Sequence, residues 1–258
     1  HLYEILDIDT LCNSLDGVFS FILYDGNKRD IIVGHDPYGI RSLYSFHNSN
    51  NIGFSSEMKC LYDLDKNINF FPPGSYSIYN IDTNVYTTYK YYNMIYPIID
   101  YNEINTIKNI RKLLYDSVNK RTITDRPIGC LLSGGLDSSI IASIMNKSVP
   151  NLKTFSIGLK GSPDLHHAEN VAKFLNTNHT TVLVTEKQML DMIENTIYQI
   201  ESYDITTIRA SIPMFLLSQY IRDNTDIKVV LSGEGSDEAS GSYLYFHNAP
   251  DPQSFQNE

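Results

Sequence analysis

The sequence predicts two consecutive folds, an antiparallel-rich α+β part over residues 1–98 and an α/β doubly wound part over residues 99–258. In the first part, short strand-like runs follow one another with turn residues between them, which is typical of antiparallel hairpins. In the second part, short apolar runs alternate with amphipathic helical patterns. That alternation is typical of a parallel sheet built from right-handed crossovers. Residues 97–102, which are rich in Pro, Asp and Asn, are the expected linker.

The first part is expected to contain three hairpins and two short helices. The paired strands are residues 18–24 with 30–34, 43–46 with 52–54, and 75–79 with 85–91. Turn residues such as Asp25-Gly26-Asn27 separate the strands of a pair. Weak helical patterns cover residues 1–14 and 56–64.

The second part begins with a helix whose apolar residues are spaced to share one face. These residues are Ile104, Ile107, Ile110, Leu114 and Val118. The strands that follow are predicted over residues 128–132, 153–159, 179–184 and 227–231, and the helices between and around them over residues 138–147, 165–176, 186–201 and 209–223. Ligands of such sheets bind at the carboxyl ends of strands, so the chemistry is expected just after each strand.

Composition narrows the classes of function. The chain has 258 residues, 42% hydrophobic and 19% charged, which is typical of a globular protein. Its net charge of −10 and the lack of a basic run argue against binding nucleic acid. No apolar run approaches the roughly 20 residues that span a bilayer, and no signal peptide opens the chain. We therefore expect no membrane partner and a cytoplasmic location. The start at His1 lacks Met, so we expect a fragment.

The three cysteines, Cys12, Cys60 and Cys130, are far apart and none belongs to a C-x-x-C motif. Their odd number and wide spacing predict neither a disulfide framework nor a zinc site. Their apolar or strand-like surroundings predict inert core residues in a reducing compartment.

The most informative stretch follows the strand over residues 128–132. It reads Ser133-Gly134-Gly135-Leu136-Asp137-Ser138-Ser139. The two glycines permit positive φ and close approach of a ligand, and the Asp and Ser residues are typical helix N-caps. Free amides at a positive helix end suit an anion such as pyrophosphate. No Gly-Lys-[Ser/Thr] follows, so this is not a Walker loop. The alternative is an ordinary strand–turn–helix with a capping serine.

A second loop follows the strand over residues 227–231. It reads Ser232-Gly233-Glu234-Gly235-Ser236-Asp237-Glu238 and carries three carboxylates in five residues. Crowded like charges are costly unless a cation or strong donors neutralise them, although a solvated acidic turn is the alternative. Beside a phosphate loop, Mg²⁺ is the better explanation, because it binds through one or two carboxylates plus substrate phosphates.

Four phrases of the first part together carry a resemblance. They are Leu15-Asp16-Gly17-Val18-Phe19, Asp36-Pro37-Tyr38-Gly39-Ile40-Arg41, Phe54-Ser55-Ser56-Glu57-Met58-Lys59 and Phe71-Pro72-Pro73-Gly74. In this order they resemble the second half of the glutaminase domain of class II glutamine amidotransferases, an N-terminal-nucleophile αββα sandwich. Taken singly, each is turn and core chemistry. The family usually has Arg where His35 stands. Its N-terminal Cys nucleophile and glutamine-binding elements come earlier in the domain, so we expect this chain alone not to hydrolyse glutamine.

The second part carries a closer resemblance. Residues 133–139 resemble the pyrophosphate loop of N-type ATP pyrophosphatases, and residues 203–211, 231–238 and 243–250 resemble the glutamine-dependent asparagine synthetases. This implies a C-terminal part of a glutaminase domain over residues 1–98 and an ATP-binding synthetase domain over residues 99–258, truncated at its C-terminus. The implied activity is a carbon–nitrogen ligase that uses aspartate, ATP, Mg²⁺ and glutamine or ammonia. A homodimer is compatible with the resemblance.

The resemblance also implies a role for individual residues. Ser133, Gly134, Gly135, Ser138 and Ser139 would hold the β and γ phosphates, and Asp137 and Asp237 would hold Mg²⁺. Leu132, Ile157, Ser232 and Gly233 would line the adenosine site. Glu234 would support formation of an acyl-adenylate and accept a proton from ammonia. Thr206, Thr207 and Arg209 would lie on the aspartate or pyrophosphate side, with a helix-start salt bridge as the alternative for Arg209.

Two departures from the family pattern leave alternatives open. The family usually continues from the acidic loop with an aliphatic residue and Phe-Gly-Gly-Tyr, where this chain has Ala239-Ser240-Gly241-Ser242-Tyr243. The family's synthetase domain also continues past residue 258 with residues that complete the aspartate site, so we expect the chain alone to be inactive. The alternatives are another carboxylate-adenylating synthetase, of the β-lactam-forming kind, and a non-catalytic remnant.

Overall fold

The computed structural model describes residues 1–49, 51–94 and 102–257. It divides into two compact units, His1–Pro97 and Ile98–Glu258. The predicted linker lies outside the described residues except for Asn102. No helix in the described ranges is long and apolar enough to cross a membrane.

The described residues of unit 1 form two antiparallel sheets and two short α-helices. Its elements are α1 Leu2–Ile5, α2 Ile8–Ser14, β1 Ser20–Asp25, β2 Asp30–His35, β3 Tyr44–His47, β4 Ile52–Ser55, β5 Asn69–Phe70, β6 Ser75–Asn80 and β7 Val85–Lys90. One sheet has the order β1-β2-β6-β7 and the other β4-β3-β5. The three predicted hairpins are confirmed as the antiparallel pairs β1–β2, β3–β4 and β6–β7. The αββα nucleophile sandwich stays a prediction.

The structure corrects two expectations in unit 1, a helix and a buried cysteine, and adds one strand. The helix over residues 56–64 is wrong: only a 3-10 turn, Met58–Cys60, forms there, with further i to i+3 hydrogen bonds after it. Strand β5 is too short to show a period, yet it pairs with β3. Cys60 is exposed and is therefore not a core residue. Cys12 and Cys130 are buried as expected, and burial raises the pKa of the Cys12 thiol to about 11.

The phrase over residues 36–41 is a turn organised by Asp36. The Asp36 side chain is almost fully buried, at 1% exposure. Its Oδ1 accepts hydrogen bonds from the amides of Tyr38 at 3.0 Å and Ile40 at 3.1 Å, and its Oδ2 accepts one from Arg41 at 3.0 Å. Gly39 has a φ of +66°, which suits the tight turn. Turn chemistry therefore accounts for this phrase.

His35, which stands where Arg is usual in the resembling family, is fully buried beside this turn. Its Nδ1 lies 3.0 Å from the Phe71 carbonyl oxygen and its Nε2 lies 2.7 Å from the Arg41 carbonyl oxygen. Each ring nitrogen thus faces a backbone carbonyl oxygen, and a nitrogen that carries a proton donates to the oxygen it faces.

Unit 2 is a parallel sheet between helices. Its elements are α3 Glu103–Arg121, β8 Ile128–Leu131, α4 Leu136–Ser148, β9 Lys153–Leu159, α5 Pro163–Leu175, β10 Asn178–Val184, α6 Glu186–Asp191, α7 Ile193–Ile200, α8 Ile205–Asn224, β11 Val229–Leu231, α9 Ser236–Ser240 and α10 Pro252–Asn257. The sheet has the order β10-β9-β8-β11 and every pair is parallel. The four predicted strands are therefore confirmed.

Helices cover both faces of this sheet, as a doubly wound sheet requires. One apolar cluster joins Cys130 and Leu132 to residues of α3, α4 and α5, including Ala142 and Ala168. A second cluster joins Phe155 on β9 to Leu217 and Ile221 of α8. Side chains of alternating strand residues therefore enter two separate cores.

Three helices of unit 2 differ from expectation. Of the apolar residues predicted to share a face of α3, only Val118 is buried, and Ile104, Ile107 and Ile110 are each more than half exposed. The predicted helix over residues 186–201 divides at Met192 into α6 and α7. Helix α8 begins at Ile205 rather than at residue 209, because the Asp204 side chain caps it by accepting the Thr207 amide at 2.8 Å.

Candidate nucleotide site

The candidate site lies where the strand order of unit 2 reverses. From β8 the chain passes to β9 on one side and returns later to β11 on the other side. In open parallel sheets, ligands bind in the crevice that forms at this reversal, beyond the carboxyl ends of the strands. Residues 133–135 follow β8 and residues 232–235 follow β11, so both predicted loops border this crevice.

The loop over residues 133–139 is closed by its own hydroxyl groups. Ser133 Oγ lies 2.9 Å from Ser138 Oγ, and the Ser133 amide donates to Ser138 Oγ at 3.2 Å. Ser139 Oγ donates to the Gly135 carbonyl oxygen at 2.6 Å. Gly135 is the N-cap of α4, without a side-chain cap of its own. The first turn of α4 therefore presents its free amides at the carboxyl edge of the sheet.

Gly134 fits this loop for two reasons. Its φ of +85° is a conformation that L side chains rarely adopt. A Cβ atom at this position would also lie 2.6 Å from His167 Cβ and would press on the Ala168 amide of α5. The loop is thereby held against α5, and no larger residue fits without a shift.

The two loops touch each other directly. Ser236 Oγ donates to Asp137 Oδ1 at 2.8 Å, across 99 positions of sequence. A Cβ atom on Gly233 would lie 2.9 Å from the Ser138 amide nitrogen and 3.0 Å from Asp137 Cβ, so Gly233 packs closely on the first turn of α4. The predicted phosphate loop and the acidic loop therefore border the same crevice.

Most carboxylates of the two loops accept hydrogen bonds from hydroxyl groups. Asp137 accepts from Ser236, Asp237 accepts from Ser242, and Glu238 accepts from the Tyr243 hydroxyl at 2.6 Å. The hydrogen bond to Glu238 is the main cause that raises the pKa of Tyr243 to about 12, which keeps that phenol a donor. Glu234 is exposed, and no hydrogen bond to its carboxylate is found within the described ranges.

The donor set fits Mg²⁺ bound jointly with phosphates. Across residues 1–49, 51–94 and 102–257, no group of three or more His, Cys, Asp or Glu side chains is placed to hold a metal ion. Mg²⁺ commonly takes one or two carboxylates and completes its shell with substrate phosphates and water. Asp137 and Asp237 supply two carboxylates on touching segments, and the amides of residues 133–139 lie beside them.

The residues predicted for adenosine differ in what they expose. Leu132 is 1% exposed and its side chain belongs to the core with Ala142 and Met145, so any contact with a nucleotide falls to its backbone. Ile157 is half-buried and packs against the cluster beneath α8. Ser232 and Gly233 are half-buried in the loop after β11.

The residues predicted for aspartate or pyrophosphate lie among the first five residues of α8. Because α8 leads into β11 and packs on β9, its N-terminus lies towards the carboxyl edge of the sheet. Thr207 Oγ1 donates to Asp204 Oδ1 at 2.9 Å, so this hydroxyl serves the helix cap. Thr206 and Arg209 are exposed. Pro213 has no amide hydrogen to give to the Arg209 carbonyl oxygen, which is left without its helical donor.

Two residues of the crevice were missed from the sequence. Ser236 joins the two loops by its hydrogen bond to Asp137. Its position among the carboxylates of the acidic loop could have marked it as a site residue. His167 packs on Gly134, and no local pattern marks it, because the contact joins residues of two different βα units.

The parallel sheet of unit 2 has a glycine–serine loop and an acidic loop beside its switch point. The class of fold is therefore an open α/β domain with a crevice at the carboxyl ends of its strands. The family follows from comparison with known proteins. The model of the family described as asparagine synthase matches residues 109–257, and the model described as a glutamine amidotransferase domain matches residues 1–63. The chain belongs to the asparagine synthase family.

Curated relatives agree with this assignment. The chain is 37% identical to "Asparagine synthetase [glutamine-hydrolyzing]" of Mus musculus, over 100% of this chain and 51% of that protein. It is 42% identical to "Probable asparagine synthetase [glutamine-hydrolyzing]" of Schizosaccharomyces pombe, over 95% of this chain and 48% of that protein. The chain therefore spans about half the length of these relatives.

Among solved structures, an NH3-dependent NAD synthetase from Campylobacter jejuni matches 53% of this chain and 60% of its own, with 18% identity and a TM-score of 0.37. A likeness at that level adds nothing to the family assignment.

Proposed function

We propose that the full-length protein is a glutamine-hydrolysing asparagine synthetase, which converts aspartate to asparagine at the expense of ATP. The observation that carries the proposal is the crevice of unit 2. There the Ser236–Asp137 hydrogen bond joins a loop suited to pyrophosphate to a loop rich in carboxylates. Family membership supplies the reaction class that this crevice would serve. The αββα nucleophile fold and glutamine as the ammonia donor belong to the same proposal, through unit 1.

The reaction needs activation because a carboxylate is a poor electrophile. An oxygen of the aspartate β-carboxylate attacks the α-phosphorus of ATP, the bond from that phosphorus to the bridging oxygen breaks, and pyrophosphate leaves. Ammonia then attacks the acyl carbon of β-aspartyl-AMP, gives up a proton and displaces AMP. The protein contributes mainly by positioning reactants and by stabilising charge on the leaving pyrophosphate.

The chain's residues divide this work. The amides and hydroxyls of Ser133, Gly134, Gly135, Ser138 and Ser139 would bind the β and γ phosphates, and the loop over residues 232–234 would face the nucleotide. Asp137 and Asp237 would hold Mg²⁺. When bound, this ion would supply the positive charge beside the phosphates that a lysine supplies in a Walker loop. Glu234 is exposed and its carboxylate has no hydrogen-bond partner among the described residues, so it is suited to accept the proton from ammonia. Thr206 and Arg209 are exposed on α8 for contact with aspartate or pyrophosphate.

The test uses the full-length protein with ATP, Mg²⁺ and ammonia, and measures AMP and pyrophosphate with and without aspartate. We expect equal amounts of both products that depend on aspartate and are not formed with a bulkier amino acid. Asp137→Asn and Glu234→Ala should each lower AMP formation by about 100-fold or more, since each removes charge from the reacting centre.

Asp191→Asn is the matched control, because this exposed carboxylate pairs with Lys187 on α6, outside both loops. Its activity should equal that of the wild type. Normal pyrophosphate release from Asp137→Asn or Glu234→Ala would refute the roles assigned to them. Activity with a bulky amino acid in place of aspartate would instead indicate a related carboxylate-adenylating synthetase, and no nucleotide turnover or binding would indicate a non-catalytic remnant.

A further inference from the structure

The segment after the acidic loop departs from the family pattern, and its serines take part in a specific set of contacts. Ser242 Oγ donates to Asp237 Oδ1. Ser240 Oγ donates to the Ser236 carbonyl oxygen at 2.7 Å and lies 3.2 Å from Ser242 Oγ. A single hydroxyl proton serves one acceptor at a time, and the shorter contact to the carbonyl is the better hydrogen bond. Ser240 therefore ties the end of this segment to the start of α9.

These contacts continue to the other loop through Ser236, whose Oγ donates to Asp137 Oδ1 at 2.8 Å. Ser236, Ser240 and Ser242, here called the serine bridge, thus lie between Asp137 and Asp237: Ser236 and Ser242 each donate to one of the two carboxylates, and Ser240 contacts both of these serines. Gly241, between two of these serines, has a φ of +61°, which lets the chain turn back so that Ser242 reaches Asp237.

A hydrogen bond to one oxygen of a carboxylate has two physical consequences. It fixes the rotation of the group, so that the other oxygen keeps one direction for a ligand. It also occupies one of that oxygen's acceptor positions, so that a ligand approaches from the remaining side. In metal sites, partners of this kind orient the ligating groups, and their loss typically weakens metal binding.

We propose that the serine bridge is a positioning network, which holds Asp137 and Asp237 in the orientation that binds a divalent cation together with the phosphates of ATP. The inference rests on the proposed function and deepens it. It assigns a role to Ser240 and Ser242, where the family pattern has other residues, and to Ser236, which joins the two loops.

The experiment measures binding of Mn²⁺, in place of Mg²⁺, to the full-length protein with ATP present, by electron paramagnetic resonance. ATP binding in excess chelator is measured in parallel. We expect Ser236→Ala and Ser242→Ala to weaken Mn²⁺ binding by about tenfold, as loss of an outer-shell partner does elsewhere. ATP binding without metal should stay unchanged. Ser236→Thr and Ser242→Thr, which keep the hydroxyl, should restore metal affinity.

Ser117→Ala is the control, because Ser117 is an exposed serine of α3 outside the bridge. Unchanged Mn²⁺ affinity in both alanine variants, while the wild type binds Mn²⁺ and ATP, would overturn the inference and leave the proposed function standing. Equal loss of Mn²⁺ binding and of ATP binding in excess chelator, without recovery by threonine, would also overturn it, since that result indicates a general structural defect. Failure of the wild type to bind ATP with or without Mn²⁺ would refute the proposed function and the inference together.

Discussion

Asp36 shows how one side chain can organise a whole turn of unit 1. Burial by itself favours the neutral acid, but the backbone amides of Arg41, Ile40 and Tyr38 outweigh burial and lower the pKa of Asp36 below its ordinary value of 3.8. The positive charge of His35 acts in the same direction. A carboxylate that accepts several amide hydrogen bonds is stabilised in its charged form, so the turn depends on the ionised state.

The pKa shift of Asp36 predicts an acid-sensitive turn. Because the folded pKa lies below the unfolded one, the stabilisation is fully present above pH 3.8 and is lost as the pH falls through the folded pKa. Asp36→Asn should cost about 2 kcal/mol at neutral pH, since its amide nitrogen cannot accept the Arg41 amide. The free energy of unfolding of this variant should also fall less steeply than that of the wild type as the pH decreases below 3.8.

Urea unfolding of the full-length protein between pH 3 and pH 7 (about the range in which a carboxyl group titrates) measures both effects. Asp82→Asn is a suitable control, because Asp82 is an exposed carboxylate paired with Arg29. An Asp36→Asn protein as stable as the wild type at neutral pH would contradict the account of the turn.

At the scale of elements, the position of a helix end decides which residues can reach the crevice. Helix α8 begins four residues earlier than the apolar pattern predicts. The reason is that the Asp204 side chain accepts a hydrogen bond from the Thr207 amide and so stabilises a helix start at Ile205. As a result Thr206 and Arg209 are both helical, whereas the Thr207 hydroxyl is bound to the cap residue Asp204. Similarly, the contact of Gly134 with α5 places the phosphate loop against a second βα unit.

The fit of Gly134 predicts a large effect of adding one methyl group. Gly134→Ala should be destabilising by about 3 kcal/mol or more, because it adds overlap with α5 to the cost of a positive φ. Gly161→Ala separates these two costs, since Gly161 has a similar φ of +86° and nothing within 4 Å of a new Cβ atom. That variant should lose only about 1–2 kcal/mol, the cost of the backbone conformation.

Free energies of unfolding from urea titrations compare the two glycine variants. ATP binding should weaken in Gly134→Ala and stay unchanged in Gly161→Ala. Equal destabilisation of both variants would show that contact with α5 does not constrain the loop.

At the scale of the whole molecule, the two units have separate interiors. Unit 1 has a core of Val33, Leu43 and Phe71, and unit 2 has the two clusters on either face of its sheet. The family models also divide, with the amidotransferase match ending at residue 63 and the synthase match beginning at residue 109. Each unit therefore has its own basis for stability and its own match to a known domain.

This separation predicts that the two proposed half-reactions respond to different substitutions. In the full-length protein, Asp137→Asn should abolish aspartate-dependent pyrophosphate release and leave glutamine hydrolysis unchanged, because the Asp137 carboxylate contacts Ser236 within unit 2. Glutamate formation from glutamine, measured without ATP and aspartate, tests the second half. Loss of glutaminase activity in this variant, in a protein that still folds, would contradict the separation.

The sequence alone determined the features that depend on neighbours in the chain. Short apolar runs located β8, β9, β10 and β11 to within about two residues. Such a run between turn residues can be recognised without knowing its distant partners. The two loops were likewise readable, since glycine, serine and carboxylate residues follow their strands directly. The helix predicted over residues 56–64 does not form. A helix this short is unstable without packing, and turns with i to i+3 hydrogen bonds form in its place.

Tertiary structure decided what depends on residues far apart in the sequence. The order β10-β9-β8-β11 places the loops after β8 and β11 side by side, and only this arrangement lets Ser236 reach Asp137 across 99 positions. It also buried Leu132 and left most of the apolar face of α3 exposed, although both look equally apolar in the sequence. Burial and long-range hydrogen bonds depend on how the elements pack together, and local sequence patterns do not specify which elements are in contact.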